Sequence, residues 1–154
     1  MKPVVVVDAS VAVKWFLPLS PDEPDADLAL DLLQAYHDDL IELLEPPIWQ
    51  AEVAAVLARL APDVCERLVW LLLAFDHTAA SGFKVYLKAS QLAVSLQHHL
   101  FDTLYHATAL MHPSAVLITA DDRYRLKAHA LGRILPLARG KEVFDLISGE
   151  VGPG

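Results

Sequence analysis

Apolar positions fall in two rhythms along this chain. From Pro3 to Asp8 they are unbroken, with four valines in succession, and AVLIT at 115–119 repeats the pattern. Continuous β-branched runs of this length predict strands covered on both faces, as in a parallel sheet. Between them the spacing turns helical. A short helix is expected over 9–17, closed by Pro18 and followed by the proline-rich connection PLSPDEP. A second helix shows Leu28, Leu32 and Leu33 on one side and acids on the other, and residues 40–44 suit a short strand. Pro46 and Pro47 mark a helix start, with that helix running to Leu60, and Pro62-Asp63 open another reaching Asp76. After a break at Ser81-Gly82, helices are expected over 88–99, 101–112 and 121–131, with Gly132 as the last one's cap and RILPLA as a third strand. Strands alternating with helices predict an α/β fold, three layers with a mainly parallel central sheet. At 154 residues, with no repeat or linker, one domain over 1–154 is expected.

In such sheets ligands bind outside the carboxyl ends of the strands. Both strong strands run into an acid there: VVVVD ends on Asp8, and LITAD brings Thr119 and Asp121 to the same edge. Burying an unpaired carboxylate is expensive, so Asp8 needs a reason. Two more acids sit among apolar neighbours, Glu52 in PPIWQAEVAAVL and Asp102 in LFDTLYHATAL. Singly each has an ordinary reading: Asp102 as a helix cap, Glu52 as a partner of Arg59 or a solvated residue. Four acids at one edge, however, require a cation, and oxygen ligands select hard ions such as Mg²⁺ or Mn²⁺.

Composition narrows the classes. Hydrophobic residues make up 55% of the chain, which suggests apolar surface beyond the core. No run is long enough for a membrane span, and no signal-peptide pattern opens the chain. The lone Cys65 fits a structural thiol in a reducing cytoplasm. The net charge of −8 argues against a nucleic-acid binder until its distribution is read: residues 22–45 hold nine acids and no Lys or Arg, whereas six of the twelve basic residues fall between Arg123 and Lys141. That stretch is either a basic rim or a solvated helix face. The histidines show no zinc spacing, and the adjacent His98 and His99 diverge in a helix. His106 shares a helix face with Asp102 and either bonds near the site or packs in the core. A D-x-D phosphatase would need an acid where Ser10 stands.

VVVVDASVAVKW, the Glu52 helix, FDTLYHATA and LITADDRY, in this order, resemble the PIN domain, and more narrowly the VapC-type toxins of toxin–antitoxin pairs. The resemblance implies a metal-dependent endoribonuclease, with Asp8, Glu52, Asp102 and Asp121 as catalytic metal ligands for Mg²⁺ or Mn²⁺. Ser10 takes the small hydroxyl position beside the first acid, and Thr119 orients ligands from behind them. It also implies an RNA substrate, a small antitoxin partner and a homodimer. The Asn that often stands three residues after the family's glutamate is Ala55 here. Asp122 follows Asp121 directly and is a helix cap, a water-mediated ligand or a surface acid. The apolar Val13, Trp15, Phe16 and Leu17, with Trp49 and Val53, would form a groove for a partner helix, unless they are core. The alternative is a catalytically weak PIN-like module that binds RNA or protein.

Overall fold

The computed structural model describes residues 1–145. Five strands form one parallel sheet in the order β3-β2-β1-β4-β5: β1 Val4–Val7, β2 Glu42–Glu45, β3 Thr78–Ala79, β4 Val116–Thr119 and β5 Ile134–Pro136. The helices are α1 Ala9–Phe16, α2 Ala26–His37, α3 Trp49–Leu60, α4 Cys65–Leu73, α5 Phe83–Leu96, α6 Leu100–Met111 and α7 Asp122–Ala128. They cover both faces of the sheet, giving the three-layer α/β/α arrangement that the strand–helix alternation predicts.

The valine run forms the centre of the sheet and has no polar side to turn outward. Val5, Val6 and Val7 are wholly buried, and Val5 pairs with both Leu43 of β2 and Val116 of β4. The chain leaves β1 for β2 on one side and later returns to β4 on the other. The crevice beyond the ends of β1 and β4 is therefore where a doubly wound sheet opens to a ligand.

Several boundaries differ from expectation. α5 begins at Phe83, five residues early, and ends at Leu96, where Gln97 adopts a left-handed conformation (φ 50°). α4 stops at Leu73 instead of Asp76, and two residues of exposed strand, β3, follow at Thr78; two residues carry no periodicity to read. The last helix ends at Ala128 with a 3-10 turn over His129–Leu131, and Gly132 (φ 73°) then redirects the chain into β5. The third strand is three residues, not six.

The groove expected between α1 and α3 is core. Val13, Trp15, Trp49 and Val53 are buried, Trp15 Nε1 donates to Ala29 O at 2.9 Å, and its indole stacks on Phe75 at 5.3 Å. Phe16 and Leu17 pack partly buried against the same cluster. The apolar excess surfaces elsewhere. On α4, Trp70 is 69% exposed, and on α5 Phe83 and Val94 are 71% and 80% exposed. No helix among the described residues is long and apolar enough to cross a membrane.

Candidate active site

Asp8 leaves β1 at the point where α1 starts. Its backbone N–H continues the sheet to Ile118 O (3.1 Å), while its carboxylate caps α1, Oδ1 accepting from the Ser10 N–H at 3.4 Å. The other oxygen, Oδ2, accepts from the Thr119 hydroxyl at 2.7 Å, and that hydroxyl accepts in turn from the Asp121 N–H at 3.0 Å. Ser10 Oγ accepts from the Ala120 N–H at 3.1 Å. Thr119 and Ser10 thus stitch the ends of β1 and β4 together, and each does so only because a small hydroxyl side chain reaches across.

Asp121 repeats the pattern on β4. It precedes α7 and caps it, Oδ1 accepting from the Tyr124 N–H at 3.0 Å. Glu52 and Asp102 each lie in the first turn of their helices, α3 and α6. All four acids therefore stand at a helix start, where the partial positive end of the backbone offsets some of their mutual repulsion. A cleft of about 450 Å³ has all four on its wall, together with Ser10 and Lys14. The Lys14 ammonium is not free there: buried beside the cleft, it donates to Glu23 Oε2 at 2.9 Å, and Glu23 comes from the proline-rich connection.

Burial dominates the electrostatics. It pushes the Asp8 carboxyl up to about 6, against the bonds from Thr119 and Ser10, which lower it, and with help from the charges of Asp102 and Glu52. Glu52 is raised for the same first reason, opposed by a hydrogen bond from the Tyr105 hydroxyl to Oε2 and reinforced by Asp102. The Tyr105 phenol is itself raised by burial and by Glu52, so it stays a neutral donor. A buried carboxylate surrounded by others, with the only lysine of the cleft wall already paired, fits a divalent cation.

The remaining sequence readings resolve differently. Asp102 makes no capping bond; its Oδ2 meets His98 Nε2 at 2.9 Å. Glu52 pairs with Tyr105 instead of Arg59. His106 is the packed core histidine: fully buried, bonded to the Tyr124 hydroxyl (2.9 Å) and Gly132 O (2.8 Å), and lowered by burial. Asp122 points away, 75% exposed and paired with Arg125 at 3.1 Å.

Two residues escaped the sequence reading. Ligand atoms of His98, Asp102 and Asp121 lie within 4.8 Å of one another, so an imidazole joins the acids. The i, i+4 spacing of His98 and Asp102 was a legible signal, obscured by His99 beside it. The other is Glu45, at the end of β2. Wholly buried, it accepts the Val7 N–H on Oε1 at 2.8 Å, leaving Oε2 without a partner among the described residues. Burial and Asp8 raise it well above an ordinary glutamate. No sequence pattern distinguishes it from the solvated acids around it.

No curated protein matches the chain. The PIN domain family does, over residues 5–130, a span that includes all but the first residue of β1, the Glu52 and Asp102 helices and the Thr119–Asp121 turn. The chain belongs to the PIN domain family, whose members are metal-dependent nucleases in type.

Proposed function

We propose that this protein is a Mg²⁺- or Mn²⁺-dependent endoribonuclease and the toxin of a VapBC-type toxin–antitoxin pair. The observation that carries the reading is one cleft walled by five carboxylates, of which Glu23 is paired with Lys14 and the other four come from four separate segments, with the first of them buried. Asp8, Glu52, Asp102 and Asp121 would hold the cation, which when bound lowers the pKa of a water and polarises a phosphate. The chain's own part is orientation. Thr119 and Ser10 fix the Asp8 carboxylate, Tyr105 holds Glu52, and His98 holds Asp102. The reaction is hydrolysis of an RNA phosphodiester by water, without a covalent enzyme intermediate.

The exposed apolar residues of α4 and α5 support a homodimer and a small protein antitoxin in the cytoplasm, since a face of this kind is costly to leave in water. Purified protein should cleave total RNA with Mg²⁺ or Mn²⁺ and stop with chelator, and Asp102→Asn should abolish cleavage while the fold persists. RNA binding without cleavage under every divalent ion would replace this reading with the weak binding module.

A further inference from the structure

A second cavity, of about 490 Å³, lies on the far side of Asp102 and Asp121, which it shares with the acid cleft. Its character is opposite. Arg123 and Lys127, one helical turn apart on α7, line it with His98 and His99. Arg123 is exposed, and no hydrogen bond or ion pair holds its side chain among the described residues. The Lys127 ammonium is held in place by Gln97 O at 3.1 Å and His98 Nδ1 at 3.3 Å, and no carboxylate is bonded to it among the described residues. The neighbouring cations differ: Arg125 is paired with Asp122, and Lys14 with Glu23. His99 precedes α6 without making a side-chain cap, leaving its exposed ring available.

We propose that this cavity binds the nucleotide adjacent to the scissile phosphate. Its phosphate lies on Arg123 and Lys127, and its base stacks on His99. The proposal rests on the ribonuclease reading and adds to it the path of the strand: from the basic cavity, over Asp102 and Asp121, into the acid cleft. The chemistry suits a single-stranded polyanion. Two cations without a carboxylate partner neutralise a backbone phosphate, the exposed His99 ring, which touches His98 only edge-on at 6.1 Å, offers a stacking surface, and the shared acids bring that phosphate's neighbour to the metal. An isolated anion would gain nothing from His99.

The test is anisotropy of a labelled single-stranded oligoribonucleotide on the full chain, with Ca²⁺ to hold the site without turnover, across a series of salt concentrations. Arg123→Gln should weaken binding roughly fivefold at low salt and reduce the slope of log affinity against log salt by about 0.7, one phosphate contact on a single strand. His99→Ala should weaken it roughly tenfold with the slope unchanged, as for a lost stack, and His99→Tyr should restore it. Lys84→Gln, an exposed charge on α5 outside both cavities, serves as the charge-matched control and should change neither quantity. In cleavage with Mn²⁺, the Arg123→Gln loss should be several-fold larger on an oligomer than on a dinucleotide. A wild type that cleaves RNA while Arg123→Gln keeps the wild-type salt slope would overturn this inference alone. A wild type that neither binds nor cleaves RNA would overturn it together with the ribonuclease reading.

Discussion

Asp8 and Glu45 are buried carboxyls at the carboxyl ends of neighbouring strands, and they are kept for different reasons. Asp8 has both oxygens bonded and opens on the cleft beside Glu52, Asp102 and Asp121. Glu45 is sealed, and one oxygen completes the sheet where the strands can no longer do so. The β1–β2 pairing covers Val4 and Val5, and beyond it the Val7 N–H finds the Glu45 side chain. Burial raises both groups. What separates them is the exit. An acid facing a cleft can be relieved by a cation, whereas a sealed one is relieved by keeping its proton. Desolvation alone therefore does not mark a functional acid; desolvation together with an opening does.

The largest effect that would break this contrast belongs to Asp8→Asn, which should reduce RNA cleavage to background and remove the rise in melting temperature that Mn²⁺ gives wild type. Without metal the same variant tests the burial. A carboxyl raised from 3.8 to about 6 in the fold confers full stability below about pH 4, loses it as pH rises towards 6, and leaves the protein weaker above. The shift corresponds to roughly 3 kcal/mol, so urea unfolding with chelator should show wild type losing up to about that much between pH 4 and 7 relative to Asp8→Asn. Equal pH profiles would remove the claim that Asp8 is strained without a cation.

Next in size is Glu45. Truncation to alanine opens a cavity and strands the Val7 N–H, a loss of about 3 kcal/mol in urea unfolding. Glu45→Gln keeps the acceptor and should stay within about 1 kcal/mol near neutral pH. Because the folded carboxyl is raised, wild type loses stability as pH climbs through its titration, and Glu45→Gln should flatten this loss. Cleavage per folded molecule should survive Glu45→Gln; its collapse would make Glu45 a member of the site.

Thr119→Val sharpens the Asp8 side by removing the donor to Oδ2 while keeping the shape. Titration with Mn²⁺ should show affinity roughly tenfold lower, the usual cost of losing a group that orients a ligand. The smallest effect is expected at Asp122→Asn: stability within about 0.5 kcal/mol and cleavage close to wild type, against a clear loss for Asp121→Asn. Identical behaviour of the two neighbours would mean the wrong acid has been chosen.

Much of this was written in short runs of residues. Four valines ending on an acid, a second run ending T-A-D, and two acids set among apolar neighbours were enough to expect a parallel sheet with carboxylates at one edge, because strand period and burial act locally. The failures have equally physical causes. β3 is two exposed residues held by β2 alone, and the start of α5 at Phe83 lies in a stretch whose apolar residues face outward. The supposed α1–α3 groove was core because amphipathic spacing shows that a helix hides one face without showing what hides it. Glu45 depends on how neighbouring strands approach in space and looks like any acid in its acidic stretch, whereas the i, i+4 spacing of His98 and Asp102 is local and is obscured by His99.

The Thr119–Asp8 hydrogen bond joins positions 111 residues apart. On a ribosome adding about 5–20 residues per second, Asp8 precedes its partner by on the order of ten seconds. Glu52 and Asp102 emerge in that interval, but β4 and the Asp121 turn come last, and the central strand has no β4 to pair with until then. Long-range pairing of this kind is also slow to form once the residues exist. Every nascent chain therefore spends most of its synthesis with an incomplete set of the four acids and no β4 edge to gather them. Under the proposed nuclease function, the order of strands in the sheet is thus also a timer: the site closes only after β4 and the Asp121 turn have been made.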